Sequence, residues 1–163
     1  MAAENHLLSV MKRTLLIAVF TVIGLLAAGG SAFAQKQIEP RVIRDPLLEQ
    51  DAAHNLEVAN QYFKLKKAYV GSLTRCEEII AANPDFSRID EVLYVAGMSS
   101  YYLAAGKGKQ KPVLKNDDAK KKYDPAKLRE DAVAYLTQLV ENYPQSPFFA
   151  DAEKSLKEIE AKK

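Results

Sequence analysis

The chain has 163 residues, of which 48% are hydrophobic and 27% are charged, so it can bury a core and is not compositionally disordered. The net charge is only +2, which argues against a dedicated nucleic-acid binder. The one cysteine, Cys76, excludes an internal disulfide framework and a cysteine-rich metal cluster, and we interpret it as a core residue.

An uncharged apolar stretch near the N-terminus has the features of an export signal. Lys12 and Arg13 precede it, and residues 14–28 carry no charge. Ala32-Phe33-Ala34 then supplies the small-x-small pattern of signal-peptidase cleavage. These features predict an exported protein of the periplasm or cell envelope.

The cleavage pattern predicts a signal peptide over residues 1–34, cut after Ala34, with Met11 as an alternative start. The alternative is an uncleaved membrane anchor, because residues 14–34 are all uncharged and their number is close to the ~20 residues that span a bilayer. No cysteine stands directly after the apolar run, so we expect no acyl chain at the mature end. Residues 35–45 follow as an extended leader, since prolines disfavour helix at the preceding position.

From Pro46 onward, apolar residues recur at spacings of three or four, which predicts helices. Asp45 is expected to cap the first helix, with Pro46 in its first turn, and the helix ends near Lys66 or Lys67. A second helix is predicted over about residues 68–82, and Asn83-Pro84 ends it.

The third helix is predicted to begin at a capping box formed by Ser87 and Asp90, and to end near Gly106. Asp124-Pro125 then repeats the cap-plus-proline signature and begins a fourth helix. Ser146-Pro147 begins a fifth. No segment shows the period-two alternation of a strand, so the prediction is an all-α domain over residues 46–163.

Residues 107–122 form a lysine-rich insert between two of the predicted helices. Seven lysines and two aspartates occupy it, with almost no apolar residue. We interpret it as an exposed, solvated loop. The alternative is a basic patch for anionic lipid or an acidic partner, which is disfavoured because a flexible lysine run makes no shaped site.

The segments 72–84 and 132–144 resemble each other. In each, a small residue, Ser72 or Ala132, stands twelve positions before a helix-ending proline, and a bulky residue stands eight before it. The small residue lets two helices approach closely, and the bulky one fills the space between neighbouring helix pairs. This is the packing logic of tetratricopeptide (TPR) repeats, and it predicts a TPR-like stack of antiparallel helix pairs with about two and a half repeats and five helices.

Two further segments resemble the family of the outer-membrane assembly lipoprotein BamD and related periplasmic TPR proteins. They are residues 91–103, EVLYVAGMSSYYL, and residues 143–147, YPQSP. The resemblance implies a non-catalytic scaffold that binds a protein or peptide partner, in outer-membrane protein assembly. This chain departs from the family pattern in being shorter and in carrying the insert.

No residue set in the sequence suggests catalysis, a metal or a cofactor. His54 has no second catalytic partner at a useful spacing, so we interpret it as a surface histidine. The sequence has no HExxH, P-loop or GxGxxG motif. Asp117 and Asp118 together offer too few oxygens for calcium.

Aromatic and polar residues at helical spacing form the candidate partner-binding set. In TPR-like stacks the first helix of each pair lines the concave face, and tyrosine and methionine there suit peptide recognition. The alternative is that these residues pack the core, and of Tyr101 and Tyr102 we expect only one to be buried. The predicted set is Asn60, Phe63, Lys64, Tyr94, Met98, Tyr101 and Tyr102.

Two functional hypotheses follow for the helical domain. The first is an envelope adaptor whose groove binds a segment of a protein partner. The alternative is a self-associating structural module of an envelope complex, with Phe148 and Phe149 at its open end. Membrane association would come through a partner or through an uncleaved signal. The oligomeric state and the identity of the partner stay open.

Overall fold

The computed structural model describes residues 44–161, and within them every regular element is a helix. This confirms the all-α prediction, whereas the predicted signal peptide and almost all of the leader lie outside the described residues. None of the described helices has the length and apolarity that crossing a membrane requires. The helices are α1 (Pro46–Asn60), α2 (Tyr69–Ala82), α3 (Ile89–Ala104), α4 (Asp117–Lys122), α5 (Pro125–Asn142) and α6 (Phe149–Glu160).

The extra helix, α4, lies in the lysine-rich insert, which was predicted to be a loop. Asn116 caps it by accepting a hydrogen bond from the Ala119 N–H at 2.8 Å. Asp117 and Asp118 lie in its first turn and three lysines in its last. This charge order complements the helix dipole, which explains why a polar six-residue segment is helical.

The start and end of α1 follow the sequence signals. Asp45 caps it by accepting from the Leu47 N–H at 2.8 Å, and Pro46 stands in the first turn. The chain continues as a π-helical segment, Gln61–Lys66. Lys67 then ends it in the left-handed region, with φ of 50°. In the π-helical segment the hydrogen bonds join residues five positions apart rather than four, a feature that apolar periodicity does not predict.

The start of α3 differs from the predicted capping box. Neither Ser87 nor Asp90 caps the helix. Instead, the Ser87 N–H donates to the Glu49 carboxylate at 3.2 Å, and Asp90 accepts from the Ser146 hydroxyl at 2.7 Å. Hydrogen bonds to distant segments have therefore replaced a local cap.

The predicted repeat is visible in the backbone of the turns that follow α2 and α5. After α2, the Phe86 N–H donates to the Asn83 carbonyl at 3.1 Å. After α5, the Ser146 N–H donates to the Tyr143 carbonyl at 3.0 Å. In each turn, the carbonyl of the donating residue then accepts a hydrogen bond from the amide three residues later, where the next helix begins. The two segments are thus structural repeats, as in a TPR-like stack.

Helix α3 is the centre of the described fold. It packs against α2 on one side and α5 on the other, while α1 packs on α2 and α6 on α5. Of its 16 residues, ten are buried, so its surface is largely covered by neighbours. Each helix thus buries its apolar face against the next one, which is the packing that defines a helical repeat.

Small residues set the separation between α3 and its neighbours. Ser99 donates a hydrogen bond to Ser72 at 3.2 Å, and both side chains are fully buried. A Cβ atom on Gly97 would lie 2.7 Å from the Leu136 Cγ and 3.4 Å from the Ala132 carbonyl. The positions predicted to be small therefore lie where the helices approach most closely.

Cys76 is a core residue, as predicted. The side chain is fully buried, and this burial raises the pKa of the thiol, with Glu77 and Glu91 adding to the shift. The thiol therefore stays neutral in the folded protein, where it packs as a small apolar group.

We predict that Gly97→Ala lowers the free energy of unfolding by roughly 1–3 kcal/mol, although alanine favours helix over glycine. The new methyl group would overlap Leu136, which is fully buried and cannot move aside. Urea denaturation measures the change. Gly71→Ala is the matched control, because its methyl group would meet only the half-exposed Tyr62 ring. A stabilised Gly97→Ala variant would show that the close approach is not a constraint.

Glu49 joins α1 to the turn before α3, and this contact should be sensitive to acid. Burial raises the pKa of its carboxyl, but hydrogen bonds from Ser87 and Asn83, together with nearby Arg44, outweigh that effect and lower the pKa overall. The charged carboxylate therefore stabilises the fold at neutral pH, and that contribution is lost as pH falls through the folded-state pKa.

Glu49→Gln should therefore destabilise the protein at neutral pH and have progressively less effect below about pH 4, the ordinary range of a glutamate. Urea unfolding of both proteins across this pH range measures the difference. Glu158→Gln serves as the control, since Glu158 is exposed and makes no hydrogen bond or ion pair within residues 44–161. A Glu49→Gln effect that is equal at both ends of the range would contradict the assignment.

Candidate partner-binding site

Four aromatic rings meet where α1, α2 and α3 come together. The Tyr102 ring lies 4.9 Å from that of Tyr69 and 5.9 Å from those of Phe63 and Tyr101, measured between centroids. Three of these residues belong to the predicted site, and the π-helical segment and α3 together bring them into one group. The fourth, Tyr69 at the start of α2, is buried. We call these four residues the aromatic cluster.

Tyr101 and Tyr102 are both partly buried, so the expectation that only one of them is buried is wrong. The Tyr102 ring packs against the rings of Phe63 and Tyr69. The Lys107 amine lies 5.4 Å from the centroid of the Tyr102 ring. Its ring therefore bridges the core and the surface. Such amphipathic rings can keep their apolar body against the protein and present the hydroxyl outward.

Tyr94 lies further toward the start of α3 and contacts a different neighbour. Its ring stacks on Phe148 with 5.1 Å between centroids, and both residues are partly buried. Burial raises the pKa of the Tyr94 hydroxyl, with smaller effects from Asp151 and Tyr102, so it stays protonated and can donate a hydrogen bond. Phe148, which the sequence suggested for self-association, packs instead within the chain.

Met98 shares a helix face with Tyr94 and Tyr102 but is only 7% exposed. Its side chain belongs to the core, which leaves no surface for a partner. The alternative reading of the aromatic set, core packing, therefore applies to Met98, and we remove it from the candidate site. Spacing along a helix placed it on the correct face but could not show how deeply it is buried.

Asn60, three residues before Phe63 in the chain, makes a polar contact with α3. Its amide donates to Glu91 at 2.8 Å, and Glu91 in turn accepts from Arg88 at 2.6 Å. The Asn60 carbonyl oxygen is buried and has no hydrogen-bond partner within the described residues. Lys64 is exposed and forms no ion pair within residues 44–161. Sequence reasoning did not single out Glu91 and Arg88, because the hydrogen bond that brings Glu91 to Asn60 joins residues 31 positions apart.

The site offers contact surface rather than reactive groups. Within residues 44–161, no three histidine, cysteine or acidic side chains are placed to hold a metal ion. His54 is exposed and Cys76 is fully buried, so neither lies at the cluster as a nucleophile or base. Half-exposed tyrosines beside an amide and a lysine suit the recognition of a polypeptide with apolar and polar groups.

Comparison with known proteins identifies a family. The model of the YfiO family, described as an outer membrane lipoprotein, matches residues 27–162. No curated protein and no solved structure matches the chain. The match covers all six described helices and the whole candidate site.

Tyr102→Ala should lower the free energy of unfolding more than Tyr101→Ala does. The Tyr102 ring contacts three other rings, among them that of buried Tyr69, so its truncation should cost about 2 kcal/mol or more. Thermal unfolding followed by circular dichroism measures both, with Tyr101→Phe and Tyr102→Phe as controls that keep the rings. Two equal losses would mean that both tyrosines are simply core residues.

Proposed function

Because this chain belongs to the YfiO family of outer membrane lipoproteins, we propose that it is a non-catalytic, TPR-like scaffold of the cell envelope that binds a protein or peptide partner. The observation that carries the proposal is the aromatic cluster at the end of α3. It places partly exposed rings from separate helix pairs side by side.

The proposed contact set comprises residues of α1, the π-helical segment and α3. Aromatic residues give large contact areas at low cost in conformational entropy, and interface energy is concentrated in such residues. Asn60 and Lys64 would supply polar contacts at the edge, since an amide and an ammonium can bind main-chain carbonyls or carboxylates. The set is Asn60, Phe63, Lys64, Tyr94, Tyr101 and Tyr102.

The pathway that we propose is the assembly of outer-membrane proteins. Two points support it: the description of the matched family and the export signal predicted over residues 1–34. A client of such a pathway is an incompletely folded polypeptide rich in apolar and aromatic side chains, which partly exposed tyrosines can accept. The protein would then act in the periplasm, with the signal peptide cleaved after Ala34.

A second candidate function is self-association through the cleft between α5 and α6. Helix α6 packs on α5, and the cleft between them is open to solvent. Open apolar clefts at the end of a helical repeat are surfaces on which another helix can stack. The cleft is lined by Ala126, Arg129, Glu130, Val133, Ile159 and Glu160.

Photo-crosslinking in the native envelope tests the proposal. A photoreactive phenylalanine analogue replaces Tyr101, and mass spectrometry identifies the adducts. The matched control carries the same analogue at Ala134, which is exposed on α5. We expect adducts with outer-membrane proteins or their assembly machinery from position 101 and none of these from position 134.

Other results would separate the two candidate functions. Adducts formed only with a second copy of the chain would favour self-association over the adaptor. The same adducts from both positions would mean that the aromatic cluster has no special role. An absence of adducts at position 101 would mean that the partner site lies elsewhere on the protein.

A further inference from the structure

The start of the lysine-rich insert is attached to the turn between α1 and α2. The Lys109 N–H donates to the Lys67 carbonyl at 3.0 Å. One residue later, the Gln110 side chain accepts from the Gly71 N–H at 3.1 Å. These two bonds join segments about forty residues apart in sequence. The insert therefore begins as a fixed part of the fold, not as the flexible loop that the composition predicted.

Gly108 makes this attachment possible. Its φ is +106°, a conformation that side chains disfavour, and a Cβ there would lie 2.8 Å from the Tyr69 ring and 3.0 Å from the Lys67 carbonyl. A residue with a side chain would push the two segments apart. The close contact brings the basic residues that flank Gly108 next to those at the end of the π-helical segment.

The two joined segments form a surface with one sign of charge. We define the basic turn surface as residues 65–67 and 107–115. It holds six lysines, and neither segment contains an aspartate or glutamate. The six are Lys66, Lys67, Lys107, Lys109, Lys111 and Lys115.

Most of these charges are available to a ligand. The amines of Lys66 and Lys107 lie over tyrosine rings, at 4.7 and 5.4 Å from the centroids, which leaves their charge in place. The other four form no ion pair within the described residues. Glu78, which lines the shallow cleft beside Gln110, is already paired with Arg75 at 2.7 Å.

Apolar side chains project from the same two segments. Leu65 is 76% exposed, Val113 is 66% exposed and Leu114 is 51% exposed. They are three of the five large apolar side chains that are exposed in the described part of the chain. Val113 and Leu114 lie in a stretch without helix or strand, and a lysine stands close on each side of them.

We propose that the basic turn surface docks on the surface of an anionic phospholipid bilayer. The lysine amines would lie at the phosphate groups, and the three apolar side chains would enter the boundary between headgroups and acyl chains. Basic residues near an anionic bilayer and apolar side chains that reach past the headgroups are the two elements of interfacial binding. Lysine stems can extend along the apolar layer while the amines stay at the phosphates.

The shape of the surface favours a bilayer over an acidic protein. Its apolar side chains protrude from extended chain, and a protein partner would need a matching pocket for each of them. All of its charged residues are lysines, whose ammonium groups act as flexible point charges. An arginine guanidinium, whose planar pair of donors matches a carboxylate, would suit an acidic protein better. The surface also differs from the proposed partner site, so either can fail without the other.

Vesicle flotation of the full chain tests the role of charge. One vesicle is phosphatidylcholine alone, and the other contains equal parts phosphatidylglycerol and phosphatidylcholine. Lys109→Gln with Lys111→Gln should lower partitioning onto the anionic vesicles roughly twentyfold, since each lysine near such a surface contributes about fivefold. The matched control is Lys121→Gln with Lys154→Gln, which removes the same charge elsewhere and should change partitioning less than about twofold. Any contribution of the N-terminal apolar stretch is common to all variants and cancels.

Tryptophan fluorescence tests whether the apolar residues reach the bilayer. The sequence contains no tryptophan, so Leu114→Trp introduces a single tryptophan at the proposed contact, whose emission can be excited selectively at wavelengths that tyrosine does not absorb. Its emission should shift to shorter wavelength with anionic vesicles and much less with neutral ones. Ala134→Trp, at an exposed position on α5, should show no shift with either.

Three results would overturn the proposal. The first is equal partitioning of the two lysine pairs. The second is an unshifted emission from the Leu114→Trp variant while the protein is bound to anionic vesicles. The third is binding of polyglutamate at this surface without binding of anionic vesicles, which would assign the surface to an acidic polypeptide instead.

Discussion

The side chain of Leu136 fills the space beside Gly97 that any larger residue would need, and the arrangement of the other helices depends on this contact. It brings α5 against the middle of α3, while the Ser72–Ser99 hydrogen bond brings α2 against the other side. Helix α3 is thereby packed on two sides, and it contributes aromatic residues to contacts near both of its ends. Its early turns bring Tyr94 to Phe148, and its last turn supplies Tyr101 and Tyr102 to the aromatic cluster.

This packing also explains how the chain accommodates an insert between the two helices of a pair. The insert leaves α3 after its last turn and returns before the cap of α5, so it interrupts no helix. It lies along α2, with Gln110 bonded near the start of that helix and Lys122 paired with Glu77 at 2.5 Å further along. Long insertions at such connections cost little, because loop-closure entropy grows slowly with length.

The sequence predicted those features that depend on neighbouring residues and missed those that depend on distant ones. The caps at Asp45 and Asp124 were correct because an aspartate followed by proline suffices to begin a helix. The cap at Ser87 was wrong because Glu49, 38 residues away, binds that backbone amide. For the candidate site, helical spacing identified the correct face of α3. It could not separate buried Met98 from half-exposed Tyr102, because burial depends on which rings cover each position.

The contact between Lys107 and the Tyr102 ring has a consequence for how the protein would search for its partners. It makes the aromatic cluster and the basic turn surface immediate neighbours, with 5.4 Å between the amine and the ring centroid. A scaffold docked on a bilayer through the basic turn surface would hold the aromatic cluster within a thin layer above that bilayer. A client diffusing along that layer would meet the cluster in two dimensions rather than three, so its effective concentration would rise without any additional contact.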